Sequence, residues 1–312
     1  MADPAFLSNT VLGVQVETTR NTAPGTGTYN AIPILDGISF GIENEIVTSD
    51  VYDGTRQNTL TLGGSQLVRA RFNTRLNYEQ GQKDLMRFMI HSTDWTAGVI
   101  TSNANASYFF TLVAKMELGA TDDYHVMTGC EIASATINMP LNDQSTISYE
   151  VVGYLDTIGN AMPGTATLGT LVGKDPFRTM LTGSTPTWGG TNLVGATDAT
   201  VTISNQVTPK FSWGGGGVDH AVNGNQRTNG SMSVYYRGDD LAADAVAGTI
   251  RALTFILKCN ETASEDTMTF NFPSARIVNA PVSDSTGSMV QAIDFAAQRN
   301  AGISAIMNVT VA

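Results

Sequence analysis

The feature that most constrains this chain is that it repeats itself. Two runs match, reading YFFTLVAKME at residues 108–117 and RALTFILKCN at residues 251–260. Thr111 then aligns with Thr254 and Lys115 aligns with Lys258, with apolar residues around them. A chain that repeats a whole structural unit folds into related halves, so the repeat limits the architecture before any other pattern is considered.

The match continues on both sides of these runs. Each run is followed by an acidic turn and then by an extended segment, at residues 126–137 in the first copy and 268–280 in the second. A short apolar stretch comes next, at residues 147–154 and 289–296. Upstream, IENEI at residues 42–46 matches ISNQV at residues 203–207. A strand-like run followed by a helix-like run also occurs twice, at residues 69–90 and at residues 229–250. One insertion in the first copy, near residues 92–107, accounts for the change in spacing. The alternative is that two unrelated β segments align by chance.

Hydrophobic periodicity predicts a sheet with one helix in each copy. Apolar and polar residues alternate along residues 66–77, which is the period of a half-buried strand. Apolar residues take helical spacing along residues 80–91, and a second helix is predicted at 240–250. Each copy is therefore a mainly β, sheet-dominated unit with a single helix, and the chain consists of two such related units in tandem.

At 312 residues the chain has room for two such units. We divide it into an N-terminal arm, a first domain, a linker and a second domain, at residues 1–36, 37–158, 159–196 and 197–312. The linker is rich in Gly, Thr and Pro, and its DPFRTML stretch at 175–181 is a candidate short helix. Two polar loops, at residues 48–65 and 209–230, are too long for simple hairpins, which indicates that they have a function.

The charge balance argues against one common class of function. The net charge is −11, and only 14% of the residues are charged. Specific or tight binding of nucleic acid needs clustered Lys and Arg, which this chain lacks. Two cysteines, Cys130 and Cys259, form no disulfide framework and suit a reducing compartment. No stretch has the pattern of a signal peptide or a membrane span, so we expect synthesis in the cytoplasm.

A search for catalytic or metal-binding residues finds no convergent set. The three histidines, His91, His125 and His220, are far apart, and His220 beside Asp219 is better explained as a solvated loop residue than as a metal ligand. The glycine run at 214–217 lacks the Lys and the helix of a phosphate-binding loop. The acid pairs at 122–123 and 239–240 lie where turns and helix starts favour Asp. We therefore predict no catalytic, cofactor-binding or metal-binding residue.

The beginning of the chain carries a distinctive order of residues. Residues 11–24 read VLGVQVETTRNTAP, and Tyr29, Ile32-Pro33 and Glu45-Ile46 follow. This order resembles the opening of the tail tube (major tail) proteins of long-tailed bacteriophages, which commonly have Gly where this chain has Asn21. The second half resembles the same family in its order of strand, Gly-rich loop, strand, helix and a strand containing Phe272-Pro273.

The resemblance implies a β-sandwich or barrel-like tail-tube fold with one flanking helix, present twice in the chain. It also implies a structural protein of the virion tail with no enzymatic activity and no cofactor. Six units of this fold form a ring in the family, so three copies of a duplicated chain would form one ring with pseudo-sixfold symmetry. Such rings would stack into a hollow, non-contractile tube through which DNA passes without specific binding. The implied partners are other copies of the chain and the tape measure, tail terminator and tail-tip proteins, with no membrane.

Strand alternation suggests four carboxylates for an acidic or neutral channel wall, namely Glu43, Glu45, Glu117 and Glu150. The two long loops and the arm are expected to bridge neighbouring subunits or rings. The alternative function is a secreted or surface-displayed β-sandwich that binds a ligand such as carbohydrate, which would favour exposed aromatic clusters and a secretion signal. An enzyme is a third class, and it would need a convergent polar site.

Overall fold

The computed structural model of the chain describes residues 10–48, 61–92, 95–96, 98–102, 108–117, 122–211, 218–222, 225–238, 240–259, 267–285, 287–299 and 306–311. For residues 44–48, 61–65, 211 and 218–222 it gives the course of the backbone alone. Strands form most of the described chain, and two helices accompany them. The prediction of a mainly β fold with a helix in each half is confirmed.

The elements of the first half are nine strands and a helix within its described residues. The strands are β1 (Thr10–Val16), β2 (Thr28–Ile32), β3 (Ser39–Thr48), β4 (Thr61–Arg75), β5 (Val99–Thr101), β6 (Phe110–Glu117), β7 (Asp122–Pro140), β8 (Thr146–Gly153) and β9 (Leu155–Gly159). The helix, α1 (Gln80–Met89), lies between β4 and β5 in the chain.

The rest of the described chain adds twelve strands and a second helix. The strands are β10 (Thr167–Leu168), β11 (Thr187–Trp188), β12 (Thr191–Asn192), β13 (Ala196–Ser204), β14 (Thr208–Phe211), β15 (Val218–Val222), β16 (Arg227–Tyr235), β17 (Ile250–Lys258), β18 (Thr267–Asn279), β19 (Val282–Ser285), β20 (Ser288–Ala297) and β21 (Asn308–Val311). The helix, α2 (Asp240–Ala247), lies between β16 and β17.

Neighbouring strands follow the same spatial order in the two halves. In the first half the order is β3, β4, β8, β7, β6, β1 and β2, with every pair antiparallel. In the second half the order is β13, β16, β20, β18, β17, β11 and β12, again with every pair antiparallel. Five further strands attach to this framework: β9 pairs with β7, β19 pairs with β20, β21 pairs with β18 and β5, and β10 pairs with β2. β14 and β15 form a separate two-stranded sheet.

The long strand β7 connects the two halves. Its first part pairs with β6 on one edge and with β9 on the other, whereas its second part pairs with β8 and with β13. Gly129, with a φ of 61°, and a register shift between Ile132 and Ser134 lie where the strand changes partners. The sheet therefore continues from the first half into the second through the β7–β13 pair.

Alternation along the strands turns one face of this sheet toward the core. In β4 the side chain of Phe72 is buried, and the neighbouring Arg71 is exposed on the other face. In the second half Phe255, Phe272 and Phe295 pack against one another, with ring centroids 6.2, 6.0 and 6.1 Å apart. Each buried ring of this kind stabilises the fold by about 1.5–3 kcal/mol.

The two helices begin where the sequence predicts and end earlier. In α1 the apolar residues Leu85, Phe88 and Met89 are buried, which confirms the predicted amphipathic helix. It ends at Met89, and His91 beyond it has a φ of 52°, in the left-handed region that terminates helices. α2 ends at Ala247 because Gly248 takes a φ of 65°, so the predicted helix at 240–250 is too long.

The short helix predicted at residues 175–181 is wrong. Phe177 is instead an extended residue, whose N–H donates to the Leu76 carbonyl and whose carbonyl accepts from the Ser145 N–H. Arg178 continues this path by pairing with Lys258. Pro176 favours a helix start locally, but these contacts with distant strands and the complete burial of the Phe177 ring outweigh that preference.

The two long loops are shorter than the sequence indicated. β4 already begins at Thr61, inside the predicted loop at 48–65, and it pairs with β3 as far as Thr48. The predicted loop at 209–230 contains most of the β14–β15 hairpin and the start of β16. Residues 49–60 and the glycine run at 214–217 lie outside the described residues.

The segment assigned to an N-terminal arm is packed into the first half from Thr10 onward. β1 pairs with β6 along its whole length and with β2 on its other edge. The side chains of Leu12, Val14 and Tyr29 are buried. The linker at 159–196 likewise carries three short strands, β10, β11 and β12.

Candidate assembly surfaces

One face of the continuous sheet is polar across both halves. Strand registers place its side chains in rows, because residues that pair directly point to the same side of a sheet. We name this surface the polar face and define it by Arg71, Asn73, Arg75, Ser134, Thr136, Asn138, Thr146, Ser148, Glu150, Thr200, Thr202, Ser204, Asn229, Ser231, Ser233, Ala292, Asp294 and Ala296. All of them are half-buried or exposed, and hydroxyl and amide groups predominate.

Two arginines and two carboxylates on and beside the polar face neutralise one another. The Arg71 guanidinium donates to the Glu150 carboxylate at 2.8 Å, and the Ser134 hydroxyl donates to the same carboxylate at 3.2 Å. Arg69 lies 3.6 Å from Glu43 and 4.0 Å from Glu150. The hydrogen bond from Arg71 lowers the pKa of Glu150, so this carboxylate is ionised and paired near neutral pH. The surface therefore has polarity without a strong charge of one sign.

Of the four carboxylates expected on a channel wall, Glu43 and Glu150 lie together and Glu117 lies apart. Glu43 and Glu150 are neighbours through Arg69 on β4. Glu117 is at the far end of β6, where it accepts a hydrogen bond from Lys115 at 3.0 Å. The side chain of Glu45 lies outside the described part of the structure. The alternating Ser, Thr and Asn residues of β13 and β16 could have predicted this polar face from the sequence. The sequence analysis considered only carboxylates for the channel wall and therefore did not identify them.

Several strands have an edge that no other described strand covers, and β3 and β19 are two of them. Within the described residues β3 pairs only with β4, and β19 pairs only with β20. Apolar side chains stand exposed beside these edges, with relative exposures of 39% for Ile42, 65% for Val278 and 38% for Val282. An open edge with apolar neighbours is a surface onto which another strand can pair.

A buried carboxylate holds the first turn of the chain against the sheet. Glu17 accepts hydrogen bonds from the N–H groups of Asn21 and Gly129, each at 2.7 Å, and from the Thr111 hydroxyl at 2.8 Å. Burial raises the pKa of Glu17, although these hydrogen bonds oppose the rise. The contact explains the Glu-Thr sequence at residues 17–18 as a structural feature, and the sequence analysis did not identify this role.

The histidines and cysteines of the described residues do not converge on a reactive centre. His91 is buried, and burial lowers its pKa. His125 Nδ1 lies 2.9 Å from the Asp156 carboxylate, and the side chain of His220 is outside the described part. Cys130 and Cys259 are free, and burial raises the pKa of the Cys130 thiol. No group of three or more His, Cys, Asp or Glu side chains in the described ranges is arranged to hold a metal ion.

Open strand edges and a polar sheet face, with its apolar side packed in the core, define a protein that is built to pair with others in a larger structure. No helix in the described part is long and apolar enough to span a membrane. The family model for phage tail tube proteins matches residues 8–297. The chain therefore belongs to the phage tail tube protein family, and no curated protein matches it. It is a structural protein of the virion tail that assembles into the tail tube.

Proposed function

We propose that three copies of this chain close into a ring with pseudo-sixfold symmetry, and that the rings stack into a hollow, non-contractile tube for DNA delivery. The observation that carries this proposal is the β7–β13 pair. It joins two halves with the same strand order edge to edge, and we take this contact as the model for the contact between neighbouring chains. Repeating that contact between chains covers the free edges of β3 and β19 and closes the assembly into a ring.

The proposal requires a duplicated unit, and the strand registers support one. The alignment that places Lys115 over Lys258 also places the pair Lys115–Tyr124 over Lys258–Thr267. The same holds for the pairs Leu112–Met127 and Phe255–Phe270. Two sheets that arose independently have no reason to share a register as well as a strand order.

The segments before each unit support the same interpretation. β1 pairs with β6 and β2, and β11 pairs with β17 and β12 in the equivalent positions. We therefore assign the domains to residues 37–158 and 197–312. The arm at 1–36 and the linker at 159–196 then serve as equivalent flanking segments of the two domains.

We propose that β3 of one chain pairs with β19 of the next. β19 pairs with β20 in the second half, and the second part of β7 pairs with β8 in the first half. Because β20 and β8 hold equivalent places, β19 is the equivalent of the second part of β7. β3, which pairs with β4, is likewise the equivalent of β13, which pairs with β16. The register of the β7–β13 pair then sets Phe40 opposite Val282 and Ile42 opposite Ala280. This contact covers the exposed apolar side chains beside both edges.

The polar face is the wall that we assign to the channel. Hydroxyl and amide groups hydrate well and present no cluster of cations, so a phosphate backbone meets few sites that would retain it. Glu43 and Glu150 contribute to this wall in neutralised pairs with Arg69 and Arg71. Glu45 remains a proposed member, whereas Glu117 is placed away from it.

The hairpins β3–β4 and β14–β15 are the elements that we assign to stacking. Both extend past the shared sheet, and they hold equivalent places in the two halves. We propose that they contact the next ring, and that the two ends of the tube meet the tail terminator and the tail-tip proteins while the tape measure protein occupies the channel.

Replacing residues 49–60 by a two-residue turn tests the stacking role. The shortened chain should fold with an unchanged far-ultraviolet circular dichroism spectrum, because the β3–β4 pair up to Thr48 and Thr61 is kept. By negative-stain electron microscopy the full chain should form tubes with a central hole, and the variant should form no tubes. Tubes of normal length from the variant would refute the assignment of this hairpin, and full-length protein that stays monomeric at high concentration would refute the ring.

A further inference from the structure

The end of the sheet formed by β16 and β20 is apolar and exposed in the second half, although its counterpart in the first half is covered. Tyr236 and Met289 have relative exposures of 40% and 50%. The register places them where the first half has Leu76 and Ser145, which are both fully buried. The equivalent position is therefore covered in the first half and exposed in the second half.

Phe177 is the residue that closes the first of these positions. The Leu76 N–H donates to the Ser145 carbonyl at 2.9 Å, but the return bond between the two residues is replaced by Phe177. The Ser145 N–H donates to the Phe177 carbonyl at 2.8 Å, and the Phe177 N–H donates to the Leu76 carbonyl at 2.9 Å. A segment from elsewhere in the chain is thereby inserted between the two strand ends.

The second position shows the same interrupted pair without an inserted residue. The Tyr236 N–H donates to the Met289 carbonyl at 2.9 Å, and in the described part of the chain the return bond from Met289 to Tyr236 is not formed. A groove of about 440 Å³ lies beside this position and is lined by both neighbours of Tyr236 in the chain, Tyr235 and Arg237. Its lining is mixed, with apolar side chains such as Trp188 and Leu241 beside charged ones. The site therefore has the backbone groups and some of the apolar surface that an extended segment needs.

The chain contains one segment with the properties of such an occupant. The covering segment in the first half includes Asp175-Pro176-Phe177 and leads toward β11. The corresponding segment for the first unit leads into β1, and it reads MADPAFLSN, with Asp3-Pro4 followed closely by Phe6. β1 and β11 hold equivalent places beside β6 and β17, so residues 1–9 precede β1 as residues 173–181 precede the turn into β11.

The segment cannot easily reach the open site of its own chain. β1 begins beside Met116, which pairs with Asp123 at the first end of β7. The open site lies beyond β13, which reaches the opposite end of β7 at Pro140. β7 has 19 residues, and even nine fully extended residues span only roughly 30 Å, about half of the contour length of that strand.

We infer that residues 1–9 of a second copy of this chain dock between Tyr236 and Met289, where they complete the interrupted strand pair and place Phe6 against the apolar side chains of the adjoining groove. This inference rests on the proposed ring, in which the second half of one chain adjoins the first half of the next. It identifies the second half as the acceptor and the N-terminal segment as the donor of a contact between neighbouring chains.

Cysteine cross-linking in assembled tubes tests the contact. Ala5→Cys, Phe6→Cys or Leu7→Cys is combined with Met289→Cys in a Cys259→Ser background, and the matched control combines each with Ile158→Cys. Ile158 is also an exposed apolar residue, with a relative exposure of 62%, but it lies on β9. Under oxidising conditions at least one pair with Met289→Cys should give covalent species of two and three chains, and the control pairs should give none.

The outcomes separate the inference from the ring proposal. Tubes that form normally but give only intramolecular cross-links, or none at all three positions, would overturn the docking site and leave the ring intact. Removal of residues 2–9 adds a second measurement. The shortened chain should keep the thermal unfolding temperature of the monomer and lose tube formation, whereas normal tubes from it would also overturn the inference.

Discussion

At the scale of single residues, Gly81 marks the closest approach of α1 to β2. A Cβ atom at this position would overlap the carbonyl oxygen of Ala31, so the helix can approach β2 this closely only because the residue is glycine. Such backbone contact fixes α1 against the strand pair β1–β2 and explains why a residue with low helix propensity lies in the first turn.

Gly81→Ala should therefore destabilise the monomer although alanine favours a helix. The overlap costs about 1–3 kcal/mol in a packed interior, which exceeds the gain of about 1 kcal/mol in helix propensity. The free energy of unfolding from denaturant titration measures this loss. Gly159→Ala is the control, since a Cβ there meets no atom within 4 Å. Equal stabilities of the two variants would contradict the proposed close contact.

His91 makes the stability of the fold depend on pH. Burial lowers its pKa from the ordinary value of 6.5, and neither ring nitrogen has a hydrogen-bond partner in the described structure. The unfolded chain therefore takes up a proton near pH 6.5 while the folded chain does not, so stability falls as the pH drops below about 6.5. The raised pKa values of the buried Glu17 and Asp84 act in the opposite direction at lower pH.

His91→Asn isolates the histidine contribution because asparagine also tolerates the left-handed φ at this helix end. Thermal unfolding at about pH 7.5 and about pH 5.5 should show a larger drop for the natural chain than for the variant. Parallel pH profiles for the two proteins would show that the ring of His91 does not contribute. The comparison cancels the effect of the carboxylates, since both proteins contain them.

At the scale of elements, the sequence predicts local structure well and non-local pairing poorly. The spacing of Leu85, Phe88 and Met89 was sufficient for α1, because that pattern lies within a few turns. The start of β4 was missed because Gly63 and Gly64 favour a loop, whereas pairing with β3 overrides their preference. The helix expected at 175–181 failed for the same reason, since Leu76 and Ser145 are remote in the chain from Phe177.

Strand alternation indicates polar strand sides but not the extent of the polar face. Glu43 and Glu150 were expected on a channel wall from that alternation, and they lie on and beside the polar face. The polar strands of the two halves become neighbours through the β7–β13 pair, and no local sequence pattern specifies that pair. The face that crosses both halves therefore emerges only from the folded chain.

A test of the β3 edge belongs to this scale. Ile42→Lys places a charge on the edge strand, where it should leave the monomer within about 0.5 kcal/mol of its stability because Ile42 is already partly exposed. It should prevent the pairing of β3 with β19 of the next chain, since a lysine would be desolvated there. Size-exclusion chromatography should then show monomers.

Ile158→Lys is the matched control for that substitution. It introduces the same charge at an apolar position of greater exposure, on β9 and away from the proposed ring contact. Assembly should be unaffected. If Ile42→Lys assembled as well as the control, β3 would not be the strand that closes the ring.

At the scale of the whole molecule, the account depends on one relationship. The contact between β7 and β13 joins the two halves inside the chain, and we propose that the same kind of contact between β19 and β3 joins one chain to the next. Exposed apolar residues lie where this scheme needs them, at Ile42, Val278 and Val282. The differences between the halves, above all the buried α1 and the exposed α2, would make the proposed ring threefold in strict symmetry and sixfold only in outline.

End-on averages of purified tubes in the electron microscope test this relationship most directly. We predict a central hole surrounded by six lobes of two alternating kinds, with three chains in each ring. Six chains in a ring, six identical lobes, or an assembly without a hole would contradict the account.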